Sequence, residues 1–389
     1  MDITIHPGKL RGSITVIPSK SQAHRMLICA AFADAPTRLY CPETNLDIEA
    51  TADCLRALGA DICRDDSGYL VTPAKIIAET ATLPCGESGS TLRFMLPVAG
   101  ALGVDTTFEL KGRLPQRPLS PLWEEMERMG CRLSRPTETT IRCQGKLVPG
   151  AYSIDGGVSS QFITGLMLAL SLMEGESRLE ITGNIESAPY IELTRSVLRI
   201  FGGKPLRSPS SLTVEGDWSN GAFFLAANAL GSDLEILGLD PASPQGDREA
   251  AALIPRLLAG PAVISAADIP DLVPILSVVA AANHGCTFTH IERLRLKESD
   301  RVQSVMDMLR ALGGQAEATQ DTLTVQGGTL TGGCVDSHND HRIAMATAIA
   351  ATVCTAPVTL SGAQAVTKSY PRFWEEYSRL GGNYELNLR

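Results

Sequence analysis

Short polar starts that open into strongly apolar runs recur six times along this chain; the starts are rich in Ser, Gly, Asp or Asn, the runs in Ala and Leu. They are anchored at Ser21, Ser88, Ser159, Ser219, Asp271 and Asn339, in steps of 67, 71, 60, 52 and 68 residues. A second series keeps pace with the first. Its amphipathic stretches stop at Gly59, Gly130, Gly202, Gly260, Gly313 and Gly381, in steps of 71, 72, 58, 53 and 68 residues. Two independent features drifting together predict six copies of one supersecondary unit.

The two series predict helices in different surroundings. Runs that are apolar nearly all round belong in the core, whereas the second series has polar faces and predicts half-exposed helices, with Val197, Leu198, Ile200 and Phe201 turned inward. Gly at each stop suits a left-handed C-terminal residue. Between the helices lie β-like runs near Leu39, Phe108, Ile181, Ile236, Phe288 and Leu360, and the N-terminal segment alternates like a strand. This alternation predicts mixed α/β layers. A Pro- and Ser-rich stretch at 204–217 separates three units from three. Buried helices present unpaired N–H groups at their starts, so several packed side by side would attract anions.

Composition narrows the function. A chain of 389 residues, 44% hydrophobic and 20% charged, has core enough for two domains. A net charge of −9 without a basic block argues against a nucleic-acid partner. Ten scattered Cys without a C-x-x-C pair read as buried free thiols of a reducing cytoplasm. No secretory h-region and no apolar run of ~20 residues occurs, so no membrane partner is expected. G-x-G-x-x-G and Walker loops are absent, against dinucleotides and ATP, and the six His lack metal-ligand spacing.

Against this acidic background, cations gather where the helix dipole disfavours them. The polar starts carry Lys20, Arg25, Arg93 and Arg342, and nearby turns add Arg117, Lys297, Arg301 and Lys368. Such a cluster predicts a doubly anionic ligand whose phosphate and carboxylate groups are gripped by Arg forks.

The motifs SKSQAHR, GESGSTLR, LPQRPLSPL, GGVSSQF, IPDLVP, LKESDR, NDHR and TKSYPRF occur in an order and spacing similar to those of the 5-enolpyruvylshikimate-3-phosphate synthases. The resemblance runs from Lys9 to about Gly381. It implies a mixed α+β fold: a two-domain inverted α/β barrel, or α/β prism, of six βαβαββ units, three per domain. Residues 1–19 plus 216–389 would form one domain and 20–215 the other, with the active site in the cleft between them. The implied reaction moves the carboxyvinyl group of phosphoenolpyruvate to the 5-hydroxyl of shikimate 3-phosphate by addition and elimination, without metal or other cofactor, in a cytoplasmic monomer.

By the same resemblance, Lys20, Ser21, Arg25, Ser159, Ser160, Gln161, Ser187, Tyr190, Asp271 and Lys297 would hold shikimate 3-phosphate. Lys20, Gly89, Arg117, Gln161, Arg301, Arg342 and Lys368 would hold phosphoenolpyruvate. The chemistry needs a base for the hydroxyl and an acid for the methylene carbon. Asp271 is the candidate base and Glu298 the candidate acid, with Lys20 and Lys368 able to share proton transfer. Plainer roles stand beside these. Ser159 and Ser160 suit helix caps, Asp271 a cap of LVPILSVV, and Glu298 with Asp300 a solvated first turn. Arg93 suits a buttress of the Gly89 loop, His341 a support lining the site, and His24 a structural role.

Three positions depart from the family's common pattern: Arg293 stands where many relatives carry Asn, Glu87 where Asn is frequent, and Ala188 where Lys is frequent. The chain is also shorter than many relatives, as trimmed surface loops would make it. Two other readings are a sister enzyme acting on UDP-N-acetylglucosamine and a non-catalytic anion-binding protein of the same fold. The sister generally carries a Cys in the loop that reads KGRLPQRPLSP here, and Lys-Asn in place of Lys20-Ser21. Intact Lys20, Asp271, Glu298 and Lys368 argue against a decayed site.

Overall fold

In the computed structural model, which describes residues 1–387, the chain forms two compact units. One comprises Met1–Ile17 and Gly216 onward; the other is Pro18–Glu215. Each has its own hydrophobic core.

The strands fall into six small sheets, one per repeat. In the unit Pro18–Glu215, strand Thr80–Gly86 runs parallel to Asp105–Leu110, which pairs antiparallel with Thr140–Gly145, and that strand with Cys131–Thr137. The sheet of Ser211–Thr213, Thr37–Tyr40, Gly68–Thr72 and Asp61–Asp65 has the same order. In the other unit the order recurs through Ala262–Ser265, Cys286–Thr289, Thr322–Gln326 and Gln315–Ala318. It recurs again through Gly333–Asp336, Val358–Ser361, Ile3–His6 and Asn383–Leu386, so the N-terminal strand completes the last sheet. A parallel pair bridged by a buried helix, then an antiparallel hairpin, is the full unit.

Two repeats lack the hairpin. Ala151–Asp155 with Arg178–Thr182, and Arg11–Thr15 with Asp233–Leu237, remain parallel pairs among the described residues. Helix Ala188–Ile200 is followed only by residues 201–210 before Ser211–Thr213, and Ala250–Ala259 runs almost directly into Ala262–Ser265. These repeats match the two shortest steps of the sequence pattern, 60 and 52 residues. What these two repeats lack beside the other four is therefore a pair of strands.

The six predicted apolar runs form the buried helices Lys20–Ala31, Gly89–Leu102, Ser160–Leu172, Trp218–Ala229, Val273–Ala281 and His341–Ala351. The second series forms helices that bury one face. In Ala188–Ile200 that face runs through Ile191, Thr194 and Val197 to Phe201; Ile200 lies off it and is 42% exposed, contrary to the inward expectation. Five of the six stop glycines sit at positive φ; Gly260 is extended and leads into the next strand.

Candidate functional site

In the unit Pro18–Glu215, two buried helices approach closely because Gly165 has no side chain. A Cβ there would lie 2.2 Å from the Arg93 carbonyl oxygen. The contact aligns the start of Ser160–Leu172 with that of Gly89–Leu102. Gln161 Oε1 accepts from Arg93 Nη1 at 2.7 Å, and Gln161 Nε2 donates to Ser90 Oγ at 2.9 Å. Arg93 Nη2 also donates to the Pro118 carbonyl at 3.2 Å, tying down the turn that carries Arg117. Arg117 Nη1 lies 2.6 Å from where a Gly89 Cβ would be. Gly89, Arg117 and Gln161 are thus neighbours, and Arg93 joins them instead of only buttressing a loop.

Ser159 caps its helix by accepting from the Gln161 N–H at 3.3 Å, and Ser160 is the buried first residue. Lys20, first in its helix, donates to Asp47 Oδ2 at 2.8 Å, both side chains being 15% exposed. Arg25 is buried and faces the protein. Its Nε donates to Thr194 Oγ1 at 2.8 Å, Nη1 to the Ser21 carbonyl at 2.6 Å, and Nη2 to Thr164 Oγ1 at 3.1 Å and the Tyr190 carbonyl at 3.2 Å. Nη1 carries a second N–H besides the one given to Ser21. Ser187, left-handed at φ 57° and 2% exposed, heads the helix that carries Tyr190. A non-glycine in that conformation is strained by roughly 1–2 kcal/mol.

In the other unit, Arg301 is the hub. Its Nε donates to Asp340 Oδ2 at 2.8 Å, Nη1 to Asp271 Oδ1 at 2.5 Å and Nη2 to Glu298 Oε2 at 2.7 Å. Lys297 Nζ stands 3.6 Å from Asp271 Oδ1, and Arg342 Nη2 3.5 Å from Asp271 Oδ2. Lys368 Nζ donates to the Asn339 carbonyl at 2.7 Å, in a turn where His338 and Asn339 are both left-handed. The capping alternative for Asp271 is not realised: helix Val273–Ala281 follows Leu272 without a side-chain cap. Asp300 is the cap of Arg301–Ala311, which leaves Glu298 outside the helix and on Arg301.

The carboxylates and cations adjust each other. Burial tends to raise the Asp271 carboxyl, but Lys297, Arg342 and Arg301 hold it well below the ordinary carboxylate range. Burial pushes the Lys297 ammonium down to about 8, against the pull of Asp271. Arg293, half-buried on the turn before it, adds positive charge that lowers Lys297 further. Arg342 is 3% exposed, yet its Nε and Nη1 have no hydrogen-bond partner among the described residues. Two donor nitrogens, carrying three N–H groups, left without partners in a buried site are costly unless a ligand or water completes them. Beside them lies Asp247, buried, bonded through one oxygen to Ser219 and raised to about 7 by burial and then by Asp271.

Sequence reasoning missed four residues that organise these sets. Asp340 anchors Arg301 and caps the His341 helix, accepting from the Arg342 N–H at 2.9 Å. Its place as Asp at the head of an apolar run was the available signal. Asp47 pairs with Lys20; only its position after the Asn45 cap marks it. Thr164 and Thr194, 2.8 Å apart, hold Arg25 and look like ordinary helix residues in sequence. His24 is structural, as expected: buried and bonded to Thr51. His341 is buried 3.9 Å from Asp340.

Residues 5–377 match the family model described as EPSP synthase (3-phosphoshikimate 1-carboxyvinyltransferase). A 3-phosphoshikimate 1-carboxyvinyltransferase of Clostridium novyi (strain NT) is 37% identical over 424 residues, covering 98% of each chain. Another, from Clostridium botulinum (strain Alaska E43 / Type E3), is 37% identical over 426 residues, covering 99% of this chain and 98% of its own. The EPSP synthase of Acinetobacter baumannii superposes over 100% of both chains with a TM-score of 0.80 at 22% identity. The enolpyruvyl transferase NikO of Streptomyces tendae superposes with a TM-score of 0.77 at 19% identity, covering 99% of this chain and 98% of its own. These two likenesses bear on the fold alone.

Proposed function

Because this chain belongs to the EPSP synthase (3-phosphoshikimate 1-carboxyvinyltransferase) family, we infer that it transfers the carboxyvinyl group of phosphoenolpyruvate to the 5-hydroxyl of shikimate 3-phosphate. The observation that carries the reading at the level of the site is Arg342: a buried guanidinium whose Nε and Nη1 have no partner among the described residues, beside Arg301, suits a small anion.

Within that reading, the shikimate 3-phosphate ligands are Ser159, Ser160 and Ser187 for its phosphate, Lys20, Ser21, the second Nη1 N–H of Arg25, Gln161 and Tyr190, with Lys297 and Asp271. The phosphoenolpyruvate ligands are Lys20, Gly89, Arg117, Gln161, Arg301, Arg342 and Lys368. Hydroxyls and open amides at helix starts suit phosphate, and Arg forks suit carboxylate.

Asp271 accepts the 5-hydroxyl proton as that oxygen bonds to the central carbon of phosphoenolpyruvate, and Glu298 delivers a proton to the methylene carbon. The resulting tetrahedral adduct carries a methyl group and the phosphate ester. Elimination then returns one methyl proton to the Glu298 carboxylate, re-forms the double bond and expels phosphate, which takes up the proton held by Asp271. A carboxylate held as low as Asp271 is a poor base while Arg301 and Arg342 grip it. Those two cations are also phosphoenolpyruvate ligands, so the arriving anion draws them off and strengthens Asp271 as a base. Lys20 shares the positive charge over the phosphate that leaves.

A cytoplasmic location accords with ten free cysteines, eight of them buried. No helix among the described residues is long and apolar enough to cross a membrane. The decisive experiment measures phosphate release from phosphoenolpyruvate with shikimate 3-phosphate and, separately, with UDP-N-acetylglucosamine. Release dependent on shikimate 3-phosphate is expected; release only with the nucleotide sugar, or with neither, refutes the assignment.

A further inference from the structure

Lys20, Asp47 and Gly89 stand at the starts of three helices, and buried hydroxyls join those helices beneath them. His24 Nδ1 lies 2.7 Å from Thr51 Oγ1, Thr51 Oγ1 2.8 Å from Thr91 Oγ1, and Thr91 Oγ1 2.7 Å from Ser88 Oγ. Thr91 Oγ1 is also 3.3 Å from the Asp47 carbonyl oxygen, and the Asp47 carboxylate holds Lys20. The chain leaves Lys20–Ala31 at His24 and crosses Leu46–Ala57 to reach Gly89–Leu102, while Asp47 on the middle helix holds Lys20. His24, Thr51 and Thr91 are each 0% exposed, so no solvent competes for these bonds.

The hydrogens can be ordered along the chain. Burial, then Lys20 and Arg25, keep the His24 imidazole neutral. Its Nε2 is buried with no hydrogen-bond partner, and a bare lone pair there is cheaper than an orphaned N–H. Nδ1 therefore carries the hydrogen and donates to Thr51, Thr51 to Thr91, and Thr91 to Ser88. Ser88 Oγ also accepts the Thr91 backbone N–H at 3.2 Å, the capping bond of the helix that begins at Gly89.

We propose that Thr51 and Thr91 are positioning residues for phosphoenolpyruvate: through the His24–Thr51–Thr91–Ser88 chain they fix the spacing between the Lys20 ammonium and the open amide end at Gly89. The proposal rests on the reading above that Lys20 and Gly89 face that substrate. Ser159, Ser160, Ser187 and Tyr190, assigned to shikimate 3-phosphate, stand on helices tied instead through Thr164, Thr194 and Arg25. Loosening the first network therefore acts more on phosphoenolpyruvate, which both of its ends face, than on shikimate 3-phosphate, of which it carries Lys20 but not the serines or Tyr190; general destabilisation would act on both alike.

The test compares Thr91→Val, Thr51→Val and Thr91→Ser with the parent in steady-state assays varying each substrate. Either Val variant should raise KM for phosphoenolpyruvate about tenfold, as loss of one net hydrogen bond implies, with a clearly smaller rise in KM for shikimate 3-phosphate, which shares only Lys20 with this network's ends. Thr91→Ser, which keeps the hydroxyl, should restore the parent value. If Thr91→Val does not fold, Thr51→Val and Thr91→Ser decide. An unchanged KM for phosphoenolpyruvate, a parallel rise in both constants, or no rescue by Ser overturns the proposal. A parent without shikimate 3-phosphate-dependent phosphate release refutes the functional reading itself, before any variant is compared.

Discussion

Arg301 and Asp340 form a buried ion pair, Nε to Oδ2 at 2.8 Å, with side chains 1% and 0% exposed. The carboxylate also accepts from Ser299 Oγ and from the Arg342 backbone N–H, so one side chain orients two cations and starts a helix. Replacing Asp340 by Asn keeps the shape and removes the charge. Breaking a buried pair from one side costs about 3–5 kcal/mol. Urea denaturation of Asp340→Asn should show a loss of that order, together with a steep fall in turnover.

Glu298 touches the hub from its exposed side, so its replacement separates chemistry from folding. Glu298→Gln should lower kcat by about 10²–10⁴-fold, the usual contribution of a general acid, with both KM values little changed. Phosphate-release kinetics check this, and a parent-like kcat would remove Glu298 from proton transfer.

Gly89→Ala places a methyl 2.6 Å from Arg117 Nη1, the far end of a flexible side chain. Folding should be little affected because that end can move. The displaced guanidinium should raise KM for phosphoenolpyruvate by about ten- to a hundredfold, and weaken inhibitors that mimic that substrate, such as glyphosate, in step. Thermal melts and inhibition curves on the same preparation test both halves.

Lys297 should impose an alkaline limit on shikimate 3-phosphate binding. Its folded value of about 8 lies below the ordinary lysine value, so the ammonium is charged below pH 8 and neutral above it. KM for shikimate 3-phosphate should rise as pH passes from 7 to 9. Lys297→Arg, which stays charged, should flatten that rise while keeping a measurable KM.

Asp247 makes an opposite kind of prediction, about stability. Its folded value of about 7 lies above the unfolded carboxylate's ~3.9, so the folded protein binds one more proton between them. Its contribution to stability is complete below pH 4 and is lost as pH rises to 7. Asp247→Asn should therefore gain stability relative to the parent at pH 8 compared with pH 5, read from urea midpoints.

Much of this was legible in the sequence because it depends on local pattern. The apolar runs, polar starts and glycine stops are spacing signals, and they located all six buried helices. Ser159 was recognisable as a cap because capping is decided within three residues. Asp340 and Asp47 were not singled out, because their roles depend on partners 39 and 27 residues away. Ile200 was placed inward because it lies among apolar neighbours; the buried stripe through Val197 and Phe201 leaves it outside. The absent hairpins were present only as two short steps, whose meaning needed the complete sheets for comparison.

Those two curtailed sheets also bear on how the protein lives in a crowded solution. Strands Arg178–Thr182 and Asp233–Leu237 each keep a rim that no strand among the described residues covers, an invitation to a stray chain. Arg178, Glu180, Asp233 and Glu235 point outward along those rims. A second copy docking there would have to strip water from charges and, along Asp233–Leu237, bring acid against acid, so the fold deters self-stacking where its architecture stops short.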